Sequence, residues 1–256
     1  MDHVKDETVA LVVTSPPYFN YIDYGKVGIG TEKLYEEYLN NIEAVFIQCF
    51  KKLIPDGKMI INVTNMKSRK EVEGTSFLYP ILSDIIVIMK RLGFIFFDEI
   101  VWIKGNANNG ALQGKPLFGS YPYPPTPKIL DSIFENILVF KKPGKQLKTR
   151  FTKEIKQLSK VTKEDWMVIT KGIWHIEPDR ISNHPASFPI ELPRRLIKVY
   201  SFVGEKILDP FAGTGTTVMA AIQLGRIGIG YEIFAPYEKF IKQKYDMYIN
   251  QQSLFK

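Results

Sequence analysis

The sequence predicts an α/β fold, an open and mostly parallel sheet with helices on both faces. Three observations predict it. Short apolar, β-rich runs alternate with segments of helical periodicity along most of the chain. Several of those runs stop at turn-forming or acidic residues, as buried parallel strands do at their carboxyl ends. A length of 256 residues, with 45% apolar and 24% charged, suits one large core with a small appendage.

Residues 9–13 are wholly apolar and run into Thr14-Ser15-Pro16-Pro17, a buried strand and its stop. Over 31–53, Tyr35, Leu39, Ile42, Phe46, Cys49 and Leu53 recur at helical spacing, and Pro55-Asp56-Gly57 supplies the end. A strand over 58–63 follows, then a helix over 76–92 capped by Gly93. Residues 94–104 and 133–141 read as strands. The loop between them holds Asn106, Asn108, Asn109 and Gly110, then Tyr121-Pro122-Tyr123-Pro124-Pro125, too rich in turn formers for regular structure. Residues 142–180 lack clear periodicity. An amphipathic helix covers 194–201, a strand over 205–208 ends at Asp209, a helix covers 216–224, and a strand over 227–231 ends at Glu232 before a last helix. There is no internal repeat.

Composition excludes several classes. The single cysteine, Cys49, forms neither an internal disulfide nor a CxxC metal site, which points to a reducing compartment. Apolar stretches such as 85–89 and 94–97 fall far short of the roughly 18–20 residues a membrane helix needs. Asp2, Asp6 and Glu7 stand where a cleavable leader would need basic and then apolar residues. The formal charge of +7 is localised: from Lys141 to His175 ten Lys/Arg face three acids, and the rest of the chain is neutral. Such a run reads either as a solvated lysine-rich surface or as a polyanion footprint, since clustered cations release counterions condensed on phosphates.

Two segments carry chemistry. Asp209-Pro210-Phe211-Ala212-Gly213-Thr214-Gly215-Thr216-Thr217 is a glycine-rich turn between a strand and a helix. Its glycines let backbone approach a ligand, and Glu232 at the end of the next strand suits ribose hydroxyls, so a nucleoside cofactor fits; the alternative is a plain tight turn. A phosphate loop is disfavoured because Gly-Lys-Ser/Thr is absent and Val218 replaces the third glycine of the dinucleotide fingerprint. The second segment, Thr14-Ser15-Pro16-Pro17-Tyr18, also lies at a strand's carboxyl end. Its prolines stiffen the turn and donate no N–H, which joins a hydroxyl, a carbonyl and an aromatic ring in one place; as a lone pattern it is also a common turn.

Together these segments resemble the amino-group DNA methyltransferases that use S-adenosylmethionine. Thr14 to Tyr18 is similar to the catalytic motif in its serine form, and Asp209 to Thr217 to the cofactor motif. His184-Pro185-Ala186-Ser187-Phe188-Pro189, followed by Leu192 and Arg195-Leu196-Ile197, resembles the segment that lines the methionine end of the cofactor. Leu53-Ile54-Pro55-Asp56-Gly57-Lys58 and Glu99-Ile100-Val101-Trp102-Ile103-Lys104 agree more loosely, so the resemblance touches most of residues 8–248. Catalytic motif before cofactor motif is the order of the family's β group, whose target-recognition region lies between them. The charge excess falls in that interval.

The resemblance implies a Rossmann-like sheet plus a small basic target-recognition insertion, with 1–141 and 181–256 as the catalytic and cofactor-binding domain and 142–180 as the recognition region. It implies S-adenosyl-L-methionine as cofactor, no metal, and duplex DNA as partner. A cognate restriction endonuclease and a second copy of the chain are further candidate partners, the membrane is not one, and the setting is the prokaryotic cytoplasm. The implied catalytic residues are Ser15, Pro16, Pro17 and Tyr18. The implied cofactor residues are Thr14, His184, Pro185, Phe188, Pro189, Asp209, Pro210, Phe211, Gly213, Thr214, Gly215, Thr216, Thr217 and Glu232. Lys145, Lys148, Arg150, Lys153 and Lys156 are the expected DNA contacts. The family also places an acidic, adenine-contacting strand before the catalytic one, and here eight residues precede Val9.

The implied chemistry accounts for the residue types. An exocyclic amine is a poor nucleophile because its lone pair is delocalised into the base. Accepting its two N–H bonds at the Ser15 hydroxyl and the Pro16 carbonyl would localise that pair, and Tyr18 would stack on the extruded base. In this family serine at the first motif position points to cytosine N4 and aspartate to adenine N6; a hydroxyl that donates as well as accepts also meets cytosine N3. Adenine N6 methylation and a non-catalytic DNA-binding protein on the same fold are the alternatives. Carbon-5 methylation needs a cysteine nucleophile, and Cys49 lies mid-helix on a core face. His3, His175 and His184 are too scattered for a metal site. Trp166 and Trp174 suit a small core better than base stacking, and 121–125 reads equally as cleft wall or rigid loop.

Overall fold

The computed structural model describes residues 1–19, 28–104, 132–145, 152–177 and 188–253, with side chains given as far as 249. Along the chain run β1 (Val9–Thr14), α1 (Tyr35–Lys52), β2 (Leu53–Val63), β3 (Met66–Lys67), α2 (Lys70–Glu73), β4 (Leu78–Tyr79), α3 (Ile81–Arg91), β5 (Ile95–Ile103) and β6 (Phe134–Lys141). Then come α4 (Lys153–Leu158), α5 (Lys163–Ile169), β7 (Ile173–His175), α6 (Glu191–Tyr200), β8 (Lys206–Asp209), α7 (Thr216–Gln223), β9 (Ile227–Gly230) and α8 (Pro236–Ser253).

Seven strands form one sheet in the order β7-β5-β6-β2-β1-β8-β9, and β3 pairs with β4 in a separate hairpin. Among the described residues of the seven-stranded sheet, β6 runs against its neighbours β2 and β5, and the other pairings within that sheet are parallel. Six strands therefore end at one rim, the carboxyl rim, and the end of β6 lies at the opposite, amino rim. All six residues of β1 are buried, because it is central and covered on both faces. On one face Tyr38, Ile42, Phe46 and Cys49 of α1 and Ile81, Ile85 and Met89 of α3 pack on Val12, Met59, Ile61 and Leu138. On the other, Leu192, Leu196 and Ile197 of α6 and Ala220 and Ala221 of α7 pack on Leu11, Val13, Ile60 and Ile207. Each large apolar side chain so buried contributes about 1.5–3 kcal/mol.

The structure departs from the sequence reading where local rules meet the sheet. Pro55-Asp56-Gly57 does not separate α1 from a later strand, because β2 starts at Leu53 directly after the helix. The register jumps from Val9↔Leu53 to Leu11↔Lys58, so the three residues form a bulge, with Asp56 at φ +64°. Helix α3 begins only after Pro80, since residues preceding proline avoid helical backbone; Leu78 and Tyr79 pair with β3 instead. Helix α6 starts three residues ahead of the predicted 194 and includes Pro193, tolerated because first-turn N–H groups lack partners anyway.

Residues 142–180, read from sequence as the target-recognition region, contribute to the sheet and the core where they are described. β7 extends the sheet beside β5, and Ile169, Trp174 and Ile176 join the core on the α6 face. Trp174 is buried and donates to the Ile169 carbonyl (3.0 Å), whereas Trp166 is half exposed.

Candidate active site

The two motifs meet because β1 and β8 are neighbours in the sheet, with Val12 opposite Leu208. At their carboxyl ends the Thr14 hydroxyl donates to Asp209 Oδ1 (2.7 Å), and the Phe211 N–H donates to the same oxygen (3.1 Å). The Thr217 hydroxyl reaches back to the Val13 carbonyl (3.5 Å). Asp209 is fully enclosed, and burial pushes its carboxyl up to about 6; bonds from Thr14, Phe211 and Thr217 pull the other way, while the Glu232 charge adds to the rise.

The glycine-rich turn is held by its strand neighbours. The Tyr231 N–H donates to the Asp209 carbonyl and the Ala212 N–H to the Tyr231 carbonyl, each at 2.9 Å. Gly215 enters α7 at φ +78°, and a Cβ there would come within 2.9 Å of Ile241. Val218 occupies the place of a third glycine, and the space is made on the strand instead. A Cβ on Gly228 would lie 2.6 Å from the Val218 carbonyl, and one on Gly230 2.9 Å from its side chain. The close helix–strand approach of a nucleotide-binding turn is thus kept with the glycines moved onto β9. Glu232, two residues past the end of β9, accepts from Gly213 N–H of the turn and from Phe234 N–H, each at 2.8 Å.

A cavity of about 860 Å³ opens between the motifs. Ser15, Pro16, Pro17 and Tyr18 line it together with Phe188, Asp209, Pro210, Phe211, Gly213, Thr214, Thr216 and Glu232. Tyr38 donates to the Pro17 carbonyl (3.0 Å), fixing the turn from α1. Thr14, Pro189, Gly215 and Thr217 are not among the lining residues; the first and last brace Asp209, and the Pro189 carbonyl accepts the Leu192 N–H at the start of α6 (3.0 Å). His184, Pro185, Lys148 and Arg150 lie outside the described residues.

Sequence reasoning missed part of the wall. Gly28, Ile29, Thr31 and Glu32 line the cavity, as do Ile233, Phe234 and Tyr237 ahead of and within the start of α8. Glu32 fixes its own loop, accepting from Gly30 N–H (2.7 Å) and Asn41 (2.8 Å). The available signal was the cluster Ile233-Phe234-Tyr237 directly after Glu232, apolar side chains where a helix start is otherwise polar.

The expected DNA contacts that are described do not reach this rim. Lys145 follows the end of β6, where Gly144 packs on Pro55. Lys153 and Lys156 project from α4, whose Ile155 shares a second cavity with Thr8, Lys206 and Val203, and Ser159 accepts the Val203 N–H (2.9 Å). Those partners precede or begin β1 and β8, so α4 sits at the amino rim. The length of β1, six residues at about 3.3 Å each, separates it from Ser15. Lys142 is likewise structural, donating to Glu7 (3.1 Å) and the Leu53 carbonyl (2.7 Å). Among the described residues no three His, Cys, Asp or Glu side chains gather as metal ligands, and no helix is long and apolar enough to cross a membrane.

Fold and site together define a methyltransferase-type sheet with its cavity at the carboxyl rim. The chain belongs to the DNA methylase family that takes in N6 and N4 methyltransferases, whose model matches residues 9–243. The type II methyltransferase M.MjaI of Methanocaldococcus jannaschii is 33% identical, over 95% of this chain and 87% of that one. A crystal structure from Thermus thermophilus, assigned as a DNA modification methylase and complexed with S-adenosyl-L-methionine, superposes with TM-score 0.76 at 33% identity, covering 95% of this chain and 88% of that chain. The PvuII DNA methyltransferase shares the fold at TM-score 0.62 and 18% identity, over 94% of this chain and 81% of its own.

Proposed function

We propose that this chain transfers a methyl group from S-adenosyl-L-methionine to the N4 amine of cytosine in duplex DNA, as the modification half of a prokaryotic restriction system. The observation that carries the reading is the shared cavity, lined both by Ser15 to Tyr18 and by Asp209 to Thr214 with Thr216, although nearly two hundred residues separate them. The cofactor's fit rests on that cavity. Its volume lies in the range of cofactor sites, Phe188 and Phe211 offer apolar surface, and Asp209 and Glu232 bring carboxyl groups suited to a cationic ligand. Gly213 and Thr214 would face the cofactor with backbone, and Glu232 would hold ribose hydroxyls on the lone pairs not taken by Gly213 and Phe234. When bound, the cofactor supplies an electrophilic methyl on sulfur that departs as a neutral thioether.

The chain's own work is orientation and electrostatic preorganisation. Ser15 and Pro16 accept the two N–H bonds of the target amine and direct its lone pair toward the methyl donor; as the N–C bond forms and the C–S bond breaks, one of the two amine protons is lost to solvent. Tyr18 stacks on the base once it has left the duplex, at a cost of a few kcal/mol in lost pairing and stacking. The serine at position 15, rather than an aspartate, supports cytosine N4 over adenine N6, because a hydroxyl also donates to the N3 acceptor. Incubation of the full chain with genomic DNA and methyl-labelled cofactor, followed by mass spectrometry of the nucleosides, tests this. N4-methylcytosine is expected. N6-methyladenine would move the target to adenine, and a chain that binds duplex DNA but takes up no S-adenosyl-L-methionine by calorimetry would be a non-catalytic DNA binder.

A further inference from the structure

Behind Tyr18, away from the glycine-rich turn in the chain, lies a charged cluster that no motif announces. Glu135, near the start of β6, is buried, with its side chain 6% exposed. A carboxylate in that position is costly unless several donors meet it. Three do: Lys104 just beyond β5, Asn62 near the end of β2, and the Tyr18 hydroxyl at 3.2 Å. The strands dictate the meeting. β6 pairs with both β2 and β5, with Trp102 opposite Glu135 and Val63 opposite Asn136, so the three side chains come from adjacent positions at the carboxyl rim. Lys104 also lies over the Trp102 ring, 5.1 Å from its centroid, and its own N–H donates to the Ile133 carbonyl (2.9 Å), which fixes the base of its stem.

An ion pair alone would explain Lys104 and Glu135 as a clamp between β5 and β6. It leaves Tyr18 unexplained. That residue comes from another part of the chain, lines the main cavity, and points its hydroxyl into the cluster. Its backbone is already constrained by Pro16 and Pro17 and by the Tyr38 bond to the Pro17 carbonyl. A ring held at its backbone end and again at its hydroxyl has little freedom left to turn about its side-chain torsions.

We infer that Glu135 is a positioning residue for Tyr18: with Lys104 and Asn62 it holds the hydroxyl so that the ring is set as a stacking platform before the target base arrives. This rests on the reading of the cavity as a DNA amino-methyltransferase site. Preorganisation of this kind acts on the reacting complex more than on the binding of cofactor, because Glu135, Asn62 and Lys104 belong to the strands across β1 from β8, which leads into the glycine-rich turn.

The test uses the full chain as wild type, Tyr18→Phe, Glu135→Gln and the double variant. In protein labelled with carbon-13 at the tyrosine ζ position, the Tyr18 signal is the one missing from Tyr18→Phe, and it is expected to move in Glu135→Gln. An unmoved signal would mean that no tether exists in solution. In methyl transfer to genomic DNA, each single variant is expected to lower kcat about tenfold, the worth of one ordinary hydrogen bond, with KM for S-adenosyl-L-methionine unchanged. The double variant should be no slower than the slower single one. A roughly hundredfold loss in the double variant, or an unchanged kcat in either single one, overturns the inference. If Glu135→Gln does not fold, Lys104→Met with Glu135→Leu removes the ion pair as a unit and is read in the same way. A wild-type chain that moves no methyl to DNA fails the reading of the site, whereas the carbon-13 signal reports the tether independently of turnover.

Discussion

The carboxyl and amino rims of the sheet carry different kinds of polar residue. At the carboxyl rim, Ser15, Asp209, Glu232 and Glu135 are few, and three of them are tied to named partners from distant parts of the chain. At the amino rim Lys145, Lys153, Lys156 and Lys160 are exposed, and neighbours such as Lys52 and Lys142 pair with Asp6 and Glu7 to close the fold. The described lysines that follow β6 therefore mark one rim and the cavity the other. The cause is topological. β6 alone runs antiparallel, so the chain leaving it emerges at the rim opposite the one where β1, β5 and β8 end. Lying between two motifs in sequence does not place a segment between them in space.

The largest effect that sharpens this contrast belongs to Ser15. Ser15→Ala is expected to lower kcat by roughly a hundredfold or more, as removal of a polar group aligned with a reacting centre does. Calorimetric affinity for S-adenosyl-L-methionine should stay within about twofold, since in the proposed reading the altered group meets the base rather than the cofactor. A variant that retained half of the wild-type rate would remove the hydroxyl from the chemistry and leave the carboxyl rim with a binding role alone.

What made the carboxyl rim legible was the coincidence of three cues at two places: an apolar strand, an abrupt turn and chemically distinctive residues. Val9–Thr14 and Lys206–Asp209 are strands whose burial alone is readable, and each ends in a motif. The rest was hidden for identifiable reasons. β7 has three residues, too few for any periodicity to show in it. β3 and β4 have two residues each and exist only because Pro80 delays α3. The Glu135 cluster has no spacing signature, because its members lie on four segments that meet only through strand pairing. The one trace was a charged residue inside or just after two apolar strands, Glu135 and Lys104, which ordinary alternation explains equally well.

A smaller effect separates the rims by pH. Asp209 is held near 6 in the fold and has its ordinary value, 3.8, in the unfolded chain. Between those values the unfolded chain releases the proton that the native state keeps, so stability is full below about pH 4 and falls as pH rises toward 6. The loss is on the order of 2–3 kcal/mol. Asp209→Asn should abolish that slope, which urea unfolding at a series of pH values would read as a difference between variant and wild type. Asp6 at the amino rim behaves oppositely: its hydrogen bond from Lys52 lowers its pKa, and it is fully exposed, so its contribution is minor. Thr14→Val, which removes the donor at 2.7 Å, should extend the falling window to higher pH. A slope identical in wild type and Asp209→Asn would mean that the carboxyl is better solvated than its enclosure between β1 and α7 implies.

The smallest effect is the one most able to break the contrast. Lys145, Lys153 and Lys156 are exposed, and the structure sets them beyond the amino rim, one strand length from Ser15. If DNA approaches the carboxyl rim, the triple replacement by glutamine should leave DNA affinity within about twofold and its dependence on salt unchanged. Were the three lysines seated on phosphates, each would release about one counterion, and the slope of log K against log salt would fall by roughly three. Fluorescence anisotropy of a labelled duplex from about 50 to 200 mM salt spans the range in which that change is large. An undiminished slope assigns these lysines to solubility and removes them from the DNA contacts. A slope reduced by three would require duplex DNA to contact both rims at once, which a straight helix docked at Ser15 does not do.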